Sequence, residues 1–144
     1  MIVVIWIRKF VRLGLHTFFR ELEVNGVENV PSDRGGIVIA WHPNGMVDPA
    51  LIFSTFPTDL MFGARNGLFQ WPILGWIMRQ VGTVPIYRRQ DLKDMSVEDQ
   101  RAKNQESLDA MSSRISAGAF TALFPEGVSH DDPCLKQLKT GAAL

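Results

Sequence analysis

The sequence predicts an α/β domain in which a largely parallel sheet is flanked by helices. Short β-rich runs alternate with helical stretches, clear helix-start residues separate them, and three polar or glycine-bearing turns each follow a buried run. The chain has 144 residues, 46% of them apolar and 21% charged, which fits one globular domain. No internal repeat or low-complexity segment interrupts it.

The elements follow in order. Residues 1–20 read as a helix. Residues 21–24 and 36–41 read as strands, the second a buried run of Ile37, Val38, Ile39 and Ala40. Asp48-Pro49 then opens a helix reaching Phe56, with Asp48 as N-cap and Pro49 at the first helical position. Residues 60–64 form a short strand, Trp71-Pro72 starts a helix to about Gln80, and residues 83–87 form another strand. Ser96 with Asp99 three residues on resembles a capping box for a long polar helix ending near Gly118, and residues 119–124 are the last strand. Right-handed crossovers through these helices would make the strands parallel. The chain closes on Lys139-Thr140-Gly141-Ala142-Ala143-Leu144, which looks like a first helical turn. We therefore expect the domain to continue past it, since otherwise a sheet edge stays uncovered.

Fifteen basic residues balance fifteen acidic ones, so there is no global cationic field and no compositional support for a nucleic-acid partner. The single cysteine, Cys134, cannot form an internal disulfide, and this places the domain on the cytosolic side of the redox divide. Locally the charges are uneven. Residues 1–20 hold Arg8, Lys9, Arg12 and Arg20 and no acid, among many large apolar residues. The longest unbroken apolar run, Met1 to Ile7, is far shorter than the roughly 20 residues a membrane span needs. At about 100° per residue, Arg8, Lys9, Arg12, His16 and Arg20 share one sector, while Val3, Ile7, Phe10, Val11, Leu15 and Phe18 fill the far side. Such a basic amphipathic helix suits a membrane interface; the alternative is a terminal helix docked on its own domain. A signal peptide fits less well, because its charges should precede the apolar core.

Three segments can carry chemistry, and open α/β sheets place ligands at the carboxyl ends of their strands. In Trp41-His42-Pro43-Asn44-Gly45-Met46-Val47-Asp48-Pro49, an imidazole and a carboxylate flank a tight turn. Asp48 could accept the Nδ1 proton of His42 and leave Nε2 as a general base, or serve only as a helix cap. In Gly82-Thr83-Val84-Pro85-Ile86-Tyr87-Arg88-Arg89, a buried strand delivers two guanidiniums that could clamp a phosphate or pair with nearby acids such as Asp91. In Phe124-Pro125-Glu126-Gly127-Val128-Ser129-His130, Glu126 and His130 could serve a site, or Glu126 could accept backbone donors in the turn. Nucleophile-elbow, Walker and dinucleotide motifs are absent. His42, Asp48, His130, Asp131 and Asp132 are metal ligands by type but lack a metal-site spacing, so no metal is expected. Cys134 follows an acidic run and makes a poor thiolate nucleophile.

Taken together and in order, the three segments resemble the glycerolipid acyltransferase family, the PlsC-like enzymes that make phosphatidic acid. His42 with Asp48 resembles the family's catalytic block, Gly82 to Arg88 its acceptor-phosphate block, and Phe124 to Gly127 its third block. The lead-in from Glu23 to Pro31 is similar to the family's first strand and turn. Five residues separate His42 from Asp48 where the family usually has four, Trp41 stands where an Asn is common, and Val128-Ser129 replace a Thr-Arg pair. Lys139 is a candidate for the missing cation, and a later Val-Pro strand of the family has no counterpart here.

With residues 1–20 read from their pattern as a membrane-interface helix, the resemblance covers residues 21–144 and implies that they form an acyltransferase domain. It implies an O-acyltransferase taking a fatty acyl chain from acyl-CoA or acyl-carrier protein, as co-substrate rather than bound cofactor. The acceptor would be a glycerophosphate hydroxyl, foremost lysophosphatidic acid, with glycerol 3-phosphate or another lysolipid as alternatives. His42 and Asp48 would be catalytic, and Arg88, Arg89, Glu126 and Gly127 would bind the acceptor. The protein would sit on a membrane lipid surface with its site facing the cytosol. A non-catalytic membrane-associated or partner-binding domain, and a lipid hydrolase that activates water, are the rival readings.

Overall fold

The computed structural model describes residues 2–88 and 95–138. Helix α1 spans Ile2–Phe18, strand β1 Gly36–Ile39, α2 Val47–Thr55, β2 Leu60–Arg65, α3 Pro72–Gln80, β3 Val84–Ile86, α4 Val97–Ser116 and β4 Phe120–Leu123. Short 3₁₀ turns occupy Val27–Asn29 and Asn66–Gln70. All strand pairs are parallel, in the order β1-β4-β2-β3. The predicted fold class is therefore the observed one.

Crossover handedness explains the layers. The steps from β1 to β2 and from β2 to β3 run one way across the sheet, so right-handed connections put α2 and α3 on one face; the step back from β3 to β4 puts α4 on the other. On the first face Phe120 and Ala122 of β4, Leu60 and Phe62 of β2, Phe53 of α2 and Ile7 of α1 form the core, with Val38, Ile52, Phe56 and Ile77 packed around them. Alternation along β4 sends Thr121 and Leu123 to the α4 face.

Local punctuation works where it needs no tertiary partner. Pro72 occupies the first turn of α3, where its missing N–H costs nothing. The Ser96 hydroxyl caps α4 by accepting the Asp99 N–H at 3.0 Å.

Three expectations are corrected. Residues 21–24 are not a strand, because among the described residues no strand pairs with them; the lead-in acquires regular structure only in the Val27–Asn29 turn. Asp48 is not the N-cap of α2. The helix begins at Val47, and Asn44 Oδ1 accepts the Met46 and Val47 N–H groups, each at 3.2 Å, which frees the Asp48 carboxylate for other work. The third correction is to α1, whose apolar residues do not form one side. Ile7 and Leu15 are buried and Val4 and Val11 pack on the core, whereas Ile2, Trp6, Phe10, Leu13 and Phe18 face outward. Arg8 leaves the cationic sector and turns inward, donating to the Thr58 carbonyl at 3.2 Å and lying 5.2 Å over the Phe53 ring.

Helix α1 is thus docked by one edge and presents a second apolar stripe, with the exposed Lys9, Arg12 and His16 between the two. No helix among the described residues is long and apolar enough to cross a membrane. The predicted helical turn at residues 139–144 lies outside the described residues.

Close packing between α3 and the turn before it depends on Gly75. A Cβ there would lie 2.2 Å from the Phe69 carbonyl oxygen, a backbone atom that cannot swing aside. Ala normally gains about 0.5–1 kcal/mol over Gly inside a helix. Overpacking of this kind costs about 1–3 kcal/mol and should win. Gly75→Ala is expected to lower the midpoint of thermal unfolding, and a raised midpoint would show that the two segments are not held this closely.

Candidate active site

Parallel strands deliver the three segments to one edge of the sheet. His42 follows β1, Arg88 follows β3 and Glu126 follows β4. β1 continues its pairing one step beyond the strand, the Ala40 N–H donating to the Leu123 carbonyl at 3.4 Å, and then turns out through Trp41 and His42.

His42 Nδ1 lies 3.0 Å from Asp48 Oδ2. The same oxygen accepts the Asn44 N–H at 2.7 Å, so the turn between the two residues closes on the carboxylate. Asp48 sits in the first turn of α2, where the helix favours negative charge. An ionised Asp48 needs the proton on Nδ1, which leaves the Nε2 lone pair open; among the described residues Nε2 has no hydrogen-bond partner. The imidazole also stacks on the Phe124 ring, with centroids 3.9 Å apart and planes 15° apart. One end of the ring is fixed by a charge and one face by an aromatic. Rotation about the side chain is blocked on both counts.

The third segment reaches back to the first. Its Gly127 adopts φ 68°, a left-handed turn that favours glycine, and its N–H donates to the Phe124 carbonyl at 3.0 Å. The Arg88 guanidinium donates from Nη1 to the Gly127 carbonyl at 3.2 Å, so the second and third segments touch. The Glu126 side chain is only 2% exposed and is joined to Nε2 of His130, also buried, which places it inside the turn rather than on an open surface. His130 donates its backbone N–H to the His42 carbonyl at 3.2 Å. Its Nδ1 lies 3.5 Å from Asp132, whose carboxyl is held below the usual carboxylate range by the Lys136 ammonium donating to it at 2.9 Å.

The end of β3 is braced by α4. Asn104 accepts the Tyr87 N–H at 2.8 Å, Asn104 and Gln100 both donate to the Tyr87 carbonyl, and Ser107 donates to the Pro85 carbonyl at 2.7 Å. A strand at the sheet edge is thereby satisfied by side chains.

The structure brings His42, Asp48, Arg88, Glu126 and Gly127 into one connected cluster. Arg89, Asp91 and Lys139 lie outside the described residues. Sequence reasoning missed Phe124 as a platform, Asn44 as the cap that frees Asp48, and the α4 amides. Only Asn44 had a local signal, a side-chain acceptor three residues before the first helical N–H. No group of three or more potential metal ligands occurs among the described residues, and Cys134 is exposed.

A His-Asp pair, an arginine and a Phe-Pro-Glu-Gly turn thus gather where the strands end. Residues 21–144 match the model of the Acyltransferase family, and the chain belongs to that family. It is 28% identical over 130 residues to the chloroplastic 1-acyl-sn-glycerol-3-phosphate acyltransferase LPAT1 of Arabidopsis thaliana, covering 90% of this chain and 33% of that protein. It is 32% identical over 115 residues to the lyso-ornithine lipid O-acyltransferase of Rhodobacter capsulatus, covering 79% of this chain and 36% of that protein. The crystal structure of the 1-acyl-sn-glycerophosphate acyltransferase PlsC from Thermotoga maritima superposes with a TM-score of 0.70 at 25% identity, over 97% of this chain and 51% of the other. The chain thus spans about a third of the length of the curated relatives it matches.

Proposed function

We propose that this chain supplies the catalytic centre of a membrane-interface O-acyltransferase. It moves a fatty acyl group from acyl-CoA or acyl-carrier protein to a hydroxyl of a glycerophosphate, foremost lysophosphatidic acid, giving phosphatidic acid. One observation carries this function: a His42 held at Nδ1 by Asp48 and on one face by Phe124, with Nε2 left open, while Arg88 ties to the Gly127 turn that follows Phe124.

A hydroxyl is a weak nucleophile at neutral pH. In the proposed step, His42 Nε2 takes the acceptor's hydroxyl proton as the oxygen forms a bond to the thioester carbonyl carbon. The tetrahedral adduct collapses, the carbon–sulfur bond breaks, and the thiolate leaves or takes the proton back from the imidazolium. Asp48 stabilises the imidazolium while the charge lasts. No covalent enzyme intermediate forms. Arg88, with Arg89 and the Gly127 turn, holds the acceptor phosphate and turns a collision into an oriented attack.

The outward stripe of α1 supports a membrane surface as partner. Trp6 and Phe10, 65% and 77% exposed, stand beside Lys9 and Arg12, which suits an anionic lipid interface. In this orientation the acyl-bearing substrates and the site meet at the cytosolic face of a bilayer.

Relatives named for a 1-acyl-sn-glycerol-3-phosphate acceptor and for a lyso-ornithine lipid make the acceptor headgroup the open variable. Arg88 is the residue that tests it.

His42→Ala should abolish transfer in the full chain while the protein stays folded, and Asp48→Asn should lose most activity but not all. Steady-state rates check both, and roughly a tenth or more of wild-type kcat in His42→Ala would remove the general base. Arg88→Ala should lower kcat/KM for lysophosphatidic acid roughly 30- to 1000-fold, leave KM for acyl-CoA within a few-fold, and spare a phosphate-free acceptor. Parallel losses on both acceptors would count against a phosphate clamp. Reversing Lys9 and Arg12 to Glu should weaken binding to anionic vesicles in a sedimentation assay at low salt, with the difference shrinking as salt screens charges over about 8 Å. Equal binding at low salt would remove the cationic stripe from the account.

A further inference from the structure

The buried pair Glu126 and His130 lies outside the proton transfer, yet it is the most enclosed polar feature near it. Their side chains are 2% and 5% exposed, and burial of a carboxylate is costly unless a donor faces it. With Glu126 ionised, His130 Nε2 carries the proton that satisfies Oε2. Two further links make the pair more than a local brace. The His130 backbone N–H donates to the carbonyl of His42 itself, and the turn that Glu126 anchors carries Phe124, the ring on which the His42 imidazole lies. The Trp41 indole, next to His42, meets the His130 ring edge-on at 6.4 Å.

We infer that His130 is a positioning residue: clamped by Glu126, it fixes the backbone of His42 and the Phe124 platform so that the imidazole keeps its Asp48 contact and its open Nε2. Around the His130 ring stand Glu126 at Nε2, Asp132 at 3.5 Å from Nδ1 with Lys136 paired to that acid, and the Trp41 edge. None of these touches the reacting atoms. Removing His130 leaves every chemical group in place and loosens the geometry, and a displacement of about 1 Å at a reacting centre can cost up to about a hundredfold in rate.

The inference rests on the acyltransferase reading for its kinetic arm and on spectroscopy alone for the other. In the full chain, His130→Gln, His130→Asn and His130→Ala are compared for transfer from acyl-CoA to lysophosphatidic acid, for thermal midpoint, and for the His42 Nδ1 proton in ¹⁵N-edited NMR spectra. A Gln amide reaches the place of Nε2, whereas an Asn amide falls short of it. Expected are a kcat loss of about tenfold or more in Asn and Ala, unchanged KM for both substrates, recovery of most of the rate by Gln, and a His42 Nδ1 proton signal kept in Gln but broadened or lost in Asn and Ala. If Ala fails to fold, Gln against Asn decides. Equal rates across all three variants, a Gln variant no better than Asn, or a loss confined to KM would overturn the positioning role. A wild-type chain that transfers no acyl group removes the proposed function, and the His42 proton then decides the inference by itself: an unchanged signal in Asn and Ala overturns it.

Discussion

Parallel hydrogen bonding of β4 to β1 on one side and to β2 on the other fixes the arrangement of the site, because it sets which residues meet at the sheet edge. The register pairs Ile39 with Leu123 and Phe62 with Ala122. From there the chain leaves β1 toward His42 and leaves β4 through Phe124, and the two rings stack. A slip of two residues would move Phe124 by about 6.6 Å along the strand and break the stack. Ala122 and Thr121 are both about 1% exposed, so β4 is gripped on both faces and such a slip would expose the core.

Around this frame the positioning is done mainly by polar groups, with Phe124 as its apolar part. Asn44 accepts the Met46 and Val47 N–H groups at the start of α2; Asp48 orients His42; α4 amides hold the end of β3 and with it Arg88; Glu126 and His130 hold the turn of the third segment. Each tie satisfies a backbone group or a buried charge that would otherwise destabilise the fold, so folding and positioning use the same bonds. The long polar helix of the sequence thereby acquires a reason: one face of α4 supplies side-chain partners to an edge strand.

What could be read from the sequence was whatever depends on near neighbours. Pro72 and Ser96 begin helices by local chemistry, and both helices start where those residues put them. The four observed strands were legible as short β-rich runs, although Ile37 and Ile39 of β1 are exposed rather than buried as expected, and the His-Asp pairing was legible as two groups flanking a tight turn. Properties set by distant partners were not. Residues 21–24 have strand-like composition but no neighbour to pair with, and Asp48 has cap-like placement but a competing imidazole. The apolar residues of α1 serve two environments, domain and exterior, which one helical projection merges. The interleaved strand order, the Phe124 platform and the contact of the His130 N–H with the His42 carbonyl come from the sheet register, which no local pattern encodes.

The proposed catalytic role of the His-Asp pair at this edge has a direct chemical consequence. Full-length protein, reconstituted with anionic vesicles and labelled acyl-CoA, can be offered lysophosphatidic acid, glycerol 3-phosphate, a panel of other lysolipids, or no acceptor, and the labelled product identified. An acylated acceptor, foremost phosphatidic acid, is expected, formed only when an acceptor is present and absent with His42→Ala. Labelled free fatty acid released at the same rate without any acceptor, or product formation unaffected by His42→Ala, would contradict it.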